Sequence, residues 1–172
     1  MARAHDVEGG NAMGHALVTD PAKCTGCLQC ELACSLKHEG QFAPWLARVV
    51  VHREPETCLA FPNVCRHCDD PPCVRACPVE ALKTSPGTGA VYVDVVECIG
   101  CRECLEACSY GSISFDPDKG VALKCDLCNG EPACVQVCPN GAIRLERCGC
   151  AAPEGDRLAR PGNPGRRRAD DE

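Results

Sequence analysis

Cys24-Thr25-Gly26-Cys27-Leu28-Gln29-Cys30-Glu31-Leu32-Ala33-Cys34 returns further along the chain as Cys98-Ile99-Gly100-Cys101-Arg102-Glu103-Cys104-Leu105-Glu106-Ala107-Cys108, with identical cysteine spacing. Two variants of the same device accompany this pair. One is Cys65-x2-Cys68-x4-Cys73-x3-Cys77 followed by Pro78, and the other is Cys125-x2-Cys128-x5-Cys134-x3-Cys138 followed by Pro139. Four repeats of one pattern are far more specific than a single C-x2-C pair, which alone fits a zinc site or a redox dithiol.

The spacing separates the available chemistries. Zinc takes a single tetrahedral set, usually two short pairs a dozen or more residues apart, so a third cysteine only three positions on has no tidy place. An iron–sulfur cube can use it, because three cysteines on a tight loop can hold three of its corners. In every set the last two cysteines stand four residues apart: Cys30 and Cys34, Cys73 and Cys77, Cys104 and Cys108, Cys134 and Cys138. On a helix, residues at that interval share a face, so each short helix is expected to place its fourth cysteine on a neighbouring cluster. Cross-ligation follows from this spacing, while consecutive and interleaved pairing of the motifs both remain open. Four [4Fe–4S] clusters are the favoured reading, over structural zinc or a disulfide scaffold.

Composition agrees with a fold built around cofactors. Of 172 residues, 45% are hydrophobic, but 19 of those are cysteine, and setting them aside leaves roughly a third of the chain apolar. The aromatics are Phe42, Trp45, Phe61, Tyr92, Tyr110 and Phe115, too few for large rings to dominate the core. Met1 to Thr19 has no apolar run of export length and no twin-arginine pair, from which a cytoplasmic, reducing location is expected. No stretch approaches the length of a membrane span, so a soluble chain without direct membrane insertion is expected. A formal charge of −6 gives no support to nucleic-acid binding.

Between the cysteine sets the sequence predicts short strands. Ala81-Leu82-Lys83 and Ala90 to Val96 form a candidate hairpin, as do Ile113-Ser114-Phe115 and Val121-Ala122-Leu123 around Pro117-Asp118-Lys119-Gly120. Arg48 to His52 and Ala142 to Leu145 are further candidate strands. Gly87-Thr88-Gly89 is a turn, since no strand-to-helix phosphate loop accompanies it.

The sets Cys24 to Cys34, Cys65 to Cys77 with Pro78, Cys98-Ile99-Gly100-Cys101 and Lys124-Cys125-Asp126-Leu127-Cys128 resemble the four-cluster ferredoxin-like subunits of molybdenum and tungsten oxidoreductases. The resemblance implies an α+β, ferredoxin-like fold of tandem two-cluster modules with pseudo-twofold symmetry, spanning residues 21–146. One module would hold the motifs at 24–34 and 125–138, the other those at 65–77 and 98–108. It also implies an interleaved ligand assignment: Cys24, Cys27, Cys30 with Cys138; Cys125, Cys128, Cys134 with Cys34; Cys65, Cys68, Cys73 with Cys108; and Cys98, Cys101, Cys104 with Cys77. The implied role is electron transfer between a Mo/W-cofactor catalytic subunit and a flavin subunit or ferredoxin, with further copies of the complex as another partner. A short segment between Cys128 and Cys134 favours a soluble assembly over membrane-anchored partners, and the resemblance points first to the small subunits of tungsten aldehyde oxidoreductases. Soluble formate or carbon monoxide dehydrogenases, a free polyferredoxin, or a structural zinc-binding interaction module are the alternatives. Ser109 stands where many members carry proline, which is expected to alter the exit of that helix slightly.

No paired carboxylates, nucleophile with base, or nucleotide loop is found, so an electron carrier without a catalytic site is expected. Cys58, Cys148 and Cys150 are read as spare thiols. For His67, a solvent-facing or backbone-bonded imidazole is expected rather than a ligand. Arg66, Arg75, Arg102 and Lys124 adjoin ligands and could raise cluster potentials, although solvated surface charge is the ordinary reading. Residues 1–20 and 147–172 read as flexible segments, the latter rich in Gly, Pro, Arg and Asp.

Overall fold

In the computed structural model, residues 14–148 are described. Short runs of β-branched and apolar residues pair off as four antiparallel ribbons of two strands each. Strand β1 (Gly14–Thr19) pairs with β8 (Ile143–Cys148), placing Leu17 opposite Leu145. The others are hairpins: β2 (Val50–Glu54) with β3 (Leu59–Asn63), β4 (Leu82–Thr84) with β5 (Val91–Val93), and β6 (Ser114–Asp116) with β7 (Val121–Leu123). A two-stranded ribbon is marginal in water by itself, so each must lean on a core.

The helices supply the rest of that core. α1 (Gln29–Glu39) packs against α4 (Ala133–Gln136), and α2 (Pro72–Arg75) against α3 (Glu103–Ala107). Two apolar clusters result. The first joins Leu17, Val49, Val64, Leu127 and Ile143 to Cys30, Cys34, Cys65, Cys125 and Cys134. The second joins Leu82, Val91 and Ile113 to Cys73 and Cys104, with Cys77, Cys98 and Cys108 at its border. Sulfur thus occupies core positions that aliphatic side chains would fill in an ordinary domain.

Several expectations are corrected. Gly14 to Thr19, assigned above to the flexible N-terminal segment, is strand β1, because Ala16 and Leu17 are buried once β8 supplies its ladder partner. The folded body therefore begins before Pro21 and reaches Cys148 rather than Glu146; the remainder of both expected flexible segments lies outside the described residues. The strand expected over Ala90 to Val96 ends at Val93, where the Asp94 carboxylate turns the chain by accepting from the Val96 amide at 3.1 Å. Strand β3 was not foreseen. Only α1 carries both its cysteines; Cys77, Cys108 and Cys138 lie just past their one-turn helices. Their amides reach back three residues, to Val74, Leu105 and Val135, which tightens the last turn and holds the sulfur close. Before Ser109, α3 runs one residue nearer its last cysteine than α2 and α4 do, but the turn beyond is shared: the carbonyls of Cys77, Cys108 and Cys138 each accept from the amide three residues on, those of Glu80, Gly111 and Gly141.

Candidate metal centre

Each cysteine loop is bent by the same backbone device. The residue just before the second cysteine of every set is left-handed: Gly26 (φ 68°), His67 (φ 48°), Gly100 (φ 70°) and Leu127 (φ 59°). In three sets the residue after the second cysteine is left-handed too, Leu28 at φ 63°, Arg102 at φ 67° and Asn129 at φ 58°, and in the fourth set Cys128 itself is left-handed as well, at φ 47°. In the first and third loops this alternation of hand turns successive amides toward one side, a concavity suited to anionic groups. Holding non-glycine residues there costs about 1–2 kcal/mol each, an expense that local strand or helix preferences do not explain.

The loops bring together cysteines that are distant in the chain. A small pocket is lined by Cys24, Cys27, Cys30 and Cys138, and another by Cys65, Cys68, Cys73 and Cys108. Cys34 faces Cys128 and Cys134 closely enough that their charges would repel, while Cys104 feels Cys98 and Cys101 and, more weakly, Cys73. Cys77 and Cys98 border the same core. All sixteen cysteines of the four sets are free thiols, Cys27 and Cys101 exposed and Cys30, Cys34, Cys65, Cys73, Cys104, Cys125 and Cys134 buried. A soft donor set of four thiols converging from a loop and a distant helix end fits an iron–sulfur cube.

The surroundings of the sulfurs are polar in a directed way. The amides of Arg48, Ala81 and Ala142 donate to Cys34 (3.2 Å), Cys77 (3.3 Å) and Cys138 (3.2 Å), and the Lys124 ammonium donates to Cys65 (3.1 Å). The last two of those amides stand four residues beyond their cysteines, the same position in two motifs. Burial raises the Cys30 thiol to about 12, with the Glu31 charge adding to it, and raises Cys104 to about 11, with Cys98 and Cys101 adding. Burial likewise pushes Cys34, Cys68, Cys73, Cys125, Cys128 and Cys134 upward; at Cys73 the Lys124 charge opposes it. These eight sulfurs are therefore held toward the neutral thiol until a cation compensates them.

Residues beside the ligands divide. Arg75 is exposed and pairs with Asp70, as an ordinary surface charge would, and Cys58 is exposed in the β2–β3 turn. Arg102 lies over the Phe115 ring at 4.1 Å and Arg66 over Tyr110 at 5.7 Å. His67 departs from expectation, since both its ring nitrogens are buried without a hydrogen-bond partner; burial and then Lys124 push its pKa down to about 3, leaving a neutral ring. Lys124 departs furthest, at 6% exposed. His38, whose Nε2 lies 3.5 Å from both Cys128 Sγ and Asp126, was missed because the contact joins α1 to the fourth motif. Arg147 and Cys148 contribute backbone to β8, and Cys150 lies outside the described residues. No helix among the described residues is long and apolar enough to cross a membrane.

Comparison with known proteins agrees with this chemistry. A Pyrococcus furiosus protein named "aliphatic sulfonate oxidoreductase, polyferredoxin-like subunit" is 42% identical over 122 residues, 71% of this chain and 70% of that protein. The "electron transport protein HydN" of Escherichia coli is 33% identical over 154 residues, 76% of this chain and 87% of that one. The chain spans only 31% and 21% of two longer relatives. The BamBC active site complex of benzoyl coenzyme A reductase aligns with TM-score 0.47 and 27% identity, over 78% of this chain and 80% of that one. The 4Fe-4S binding domain family matches residues 21–37, over the first cysteine set. The 4Fe-4S dicluster domain family matches residues 56–148, more than half of the chain and all three later sets, so this small α+β protein belongs to that family and binds 4Fe–4S clusters.

Proposed function

We propose that the chain is an electron-carrying subunit holding four [4Fe–4S] clusters, which relays single electrons between the catalytic subunit of an oxidoreductase and a second redox partner. The observation that carries this reading is the pocket in which Cys138 joins Cys24, Cys27 and Cys30 across almost the whole described chain. The ligand sets are Cys24, Cys27, Cys30 and Cys138; Cys125, Cys128, Cys134 and Cys34; Cys65, Cys68, Cys73 and Cys108; Cys98, Cys101, Cys104 and Cys77. Bound there, the clusters take up and give back single electrons. The chain's own part is to hold them near one another and to tune them. Each helix, with the residues just past it, gives two cysteines to different sites, and the amides of Arg48, Ala81 and Ala142 supply hydrogen bonds to sulfur. In this reading the first and fourth motifs form one two-cluster module and the second and third the other, related by a pseudo-twofold axis. The packing of α1 on α4 and of α2 on α3 supports that division.

Cys27 and Cys101 are exposed, one in each of the two modules of this reading, and they mark the surface-near ends of the relay in it. A carrier with two such ends serves two partners: a Mo/W-cofactor catalytic subunit, of the aldehyde oxidoreductase type, and a flavin subunit, a ferredoxin or a further copy of the complex. The relatives named as an oxidoreductase subunit and as an electron transport protein support this class of role. Iron analysis of anaerobically purified protein tests the ligand sets. Wild type is expected to hold about sixteen irons per chain, and Cys34→Ala, Cys125→Ala and the double variant about twelve each, because one cluster is lost in all three. The pair Cys24→Ala with Cys34→Ala is expected to fall to about eight. The reverse pattern would show that the four cysteines of one motif share a cluster, and about eight irons in both double variants would show consecutive rather than interleaved pairing of the motifs. Purification of the chain alone from its native source, with no larger subunit, would argue for a free carrier.

A further inference from the structure

Lys124 is buried beside the second pocket, and its Nζ has three neighbours: Cys65 Sγ at 3.1 Å, the Val91 carbonyl at 2.7 Å and the Cys125 carbonyl at 3.4 Å. An ammonium has three N–H donors, so these acceptors use its full capacity. Two of them are neutral carbonyls, and Lys124 makes no ion pair among the described residues. The adjacent carboxylate, Asp126, is turned instead to the Cys128 amide at 2.8 Å and to His38. Other cations nearby are engaged elsewhere: Arg66 lies over Tyr110, and Arg48 pairs with Glu39 at 2.6 Å. A buried charge is retained only where something of opposite sign compensates it, and here the sulfur of Cys65 is what lies within reach. Cys65 also packs with Cys125 in the first core while Cys73 belongs to the second, so Lys124 stands where the two halves of the molecule meet.

We propose that Lys124 is the built-in counter-cation of the cluster held by Cys65, Cys68, Cys73 and Cys108, and that its charge raises the reduction potential of that cluster. The proposal rests on the four-cluster reading above. A fixed positive charge favours whichever state of the site carries the extra electron, and it acts strongly here because water is excluded. Lys124 is a positioning residue for electron transfer and not a ligand.

Potentiometric titration with dithionite, followed by electron paramagnetic resonance, tests this on Lys124→Gln, Lys124→Met and Lys124→Arg beside wild type, with iron and sulfide measured for each. The Gln and Met variants are expected to keep wild-type iron and to lower one midpoint by at least a tenfold change in its reduction equilibrium, about 59 mV for one electron. The Arg variant is expected to stay near wild type. Unchanged midpoints in the Gln variant, or a shift in the Arg variant as large as that in Met, would overturn the role of charge. Should Met lose iron through lost packing, Gln, which keeps a polar head of similar reach, decides. Failure of the four-cluster reading shows separately, as wild-type iron far below sixteen per chain, about four for each cluster.

Discussion

A Cβ on Gly100 would collide with the Gly120 carbonyl oxygen, and the residue also sits at φ 70°. Gly120 has nearly the same backbone conformation, φ 68°, but open space around it. The pair separates two costs that are usually confounded. Gly120→Ala should lose about 1–2 kcal/mol, the conformational penalty alone. Gly100→Ala should lose about 2–5 kcal/mol, because the loop between Cys98 and Cys101 must also move off the β6–β7 turn. Thermal denaturation of the cluster-loaded proteins compares them directly, and equal losses would show that the close approach is relaxed at little cost. The glycine before the second cysteine is visible in the sequence of two motifs. In the other two the same left-handed position is filled by His67 and Leu127, and nothing in their chemistry announces it. Lys124 is a similar case: its place next to Cys125 is plain in the sequence, but its contact with Cys65 depends on how the halves pack.

At the scale of elements, Glu39 at the end of α1 ties three parts of the chain together. Its carboxylate, 4% exposed, accepts from Arg48 at 2.6 Å and from Lys119 in the β6–β7 turn. Burial alone would raise its pKa, but the hydrogen bonds from Lys119 and Arg48 outweigh that and leave it below the ordinary 4.5. A depressed carboxylate contributes stability that is fully present above its unfolded value and is lost as pH falls through the folded one. The thermal midpoint of wild type should therefore exceed that of Glu39→Gln by a constant margin from neutral pH down to about 4.5, and the margin should narrow below it. A margin that already narrowed between about pH 7 and 5, above the ordinary carboxylate value, would contradict the assignment. Such ties are illegible in sequence because Glu39 and Lys119 belong to motifs far apart. The ribbons show the same divide. β4–β5 and β6–β7 were legible because their turns are local and glycine-bearing. β3 was hidden by Pro62, which is tolerated because its ribbon has only one partner and the missing amide can face away from the ladder. β1 was hidden because its partner, β8, comes from the other end of the described chain.

For the molecule as a whole, the question is what holds two cores together when so few of their members are large. Leu17, Ile113, Leu127, Ile143 and Val64 are among the largest fully buried side chains, and around them the cores are made of alanine, valine and cysteine with Leu82. Without iron the buried thiols do not repel one another, since burial holds Cys30 near 12 and Cys104 near 11, and neutral thiols pack as small apolar groups. What the empty chain lacks is the cross-links. Metal–ligand binding in small domains contributes about 10–16 kcal/mol per site, as much as or more than the 5–15 kcal/mol net stability of a typical protein. Losing clusters that, on the proposed ligand sets, each join a loop to a distant helix end should exceed any stability the apolar contacts supply. The cluster-free chain is therefore expected to lack a cooperative thermal transition, and in the loaded protein the visible absorbance and the far-ultraviolet circular dichroism should be lost together as iron is chelated under oxidising conditions. Loss of absorbance with retained dichroism and a sharp later transition would mean that the ribbons and thiol-lined cores fold by themselves, and that the clusters occupy a scaffold they do not build.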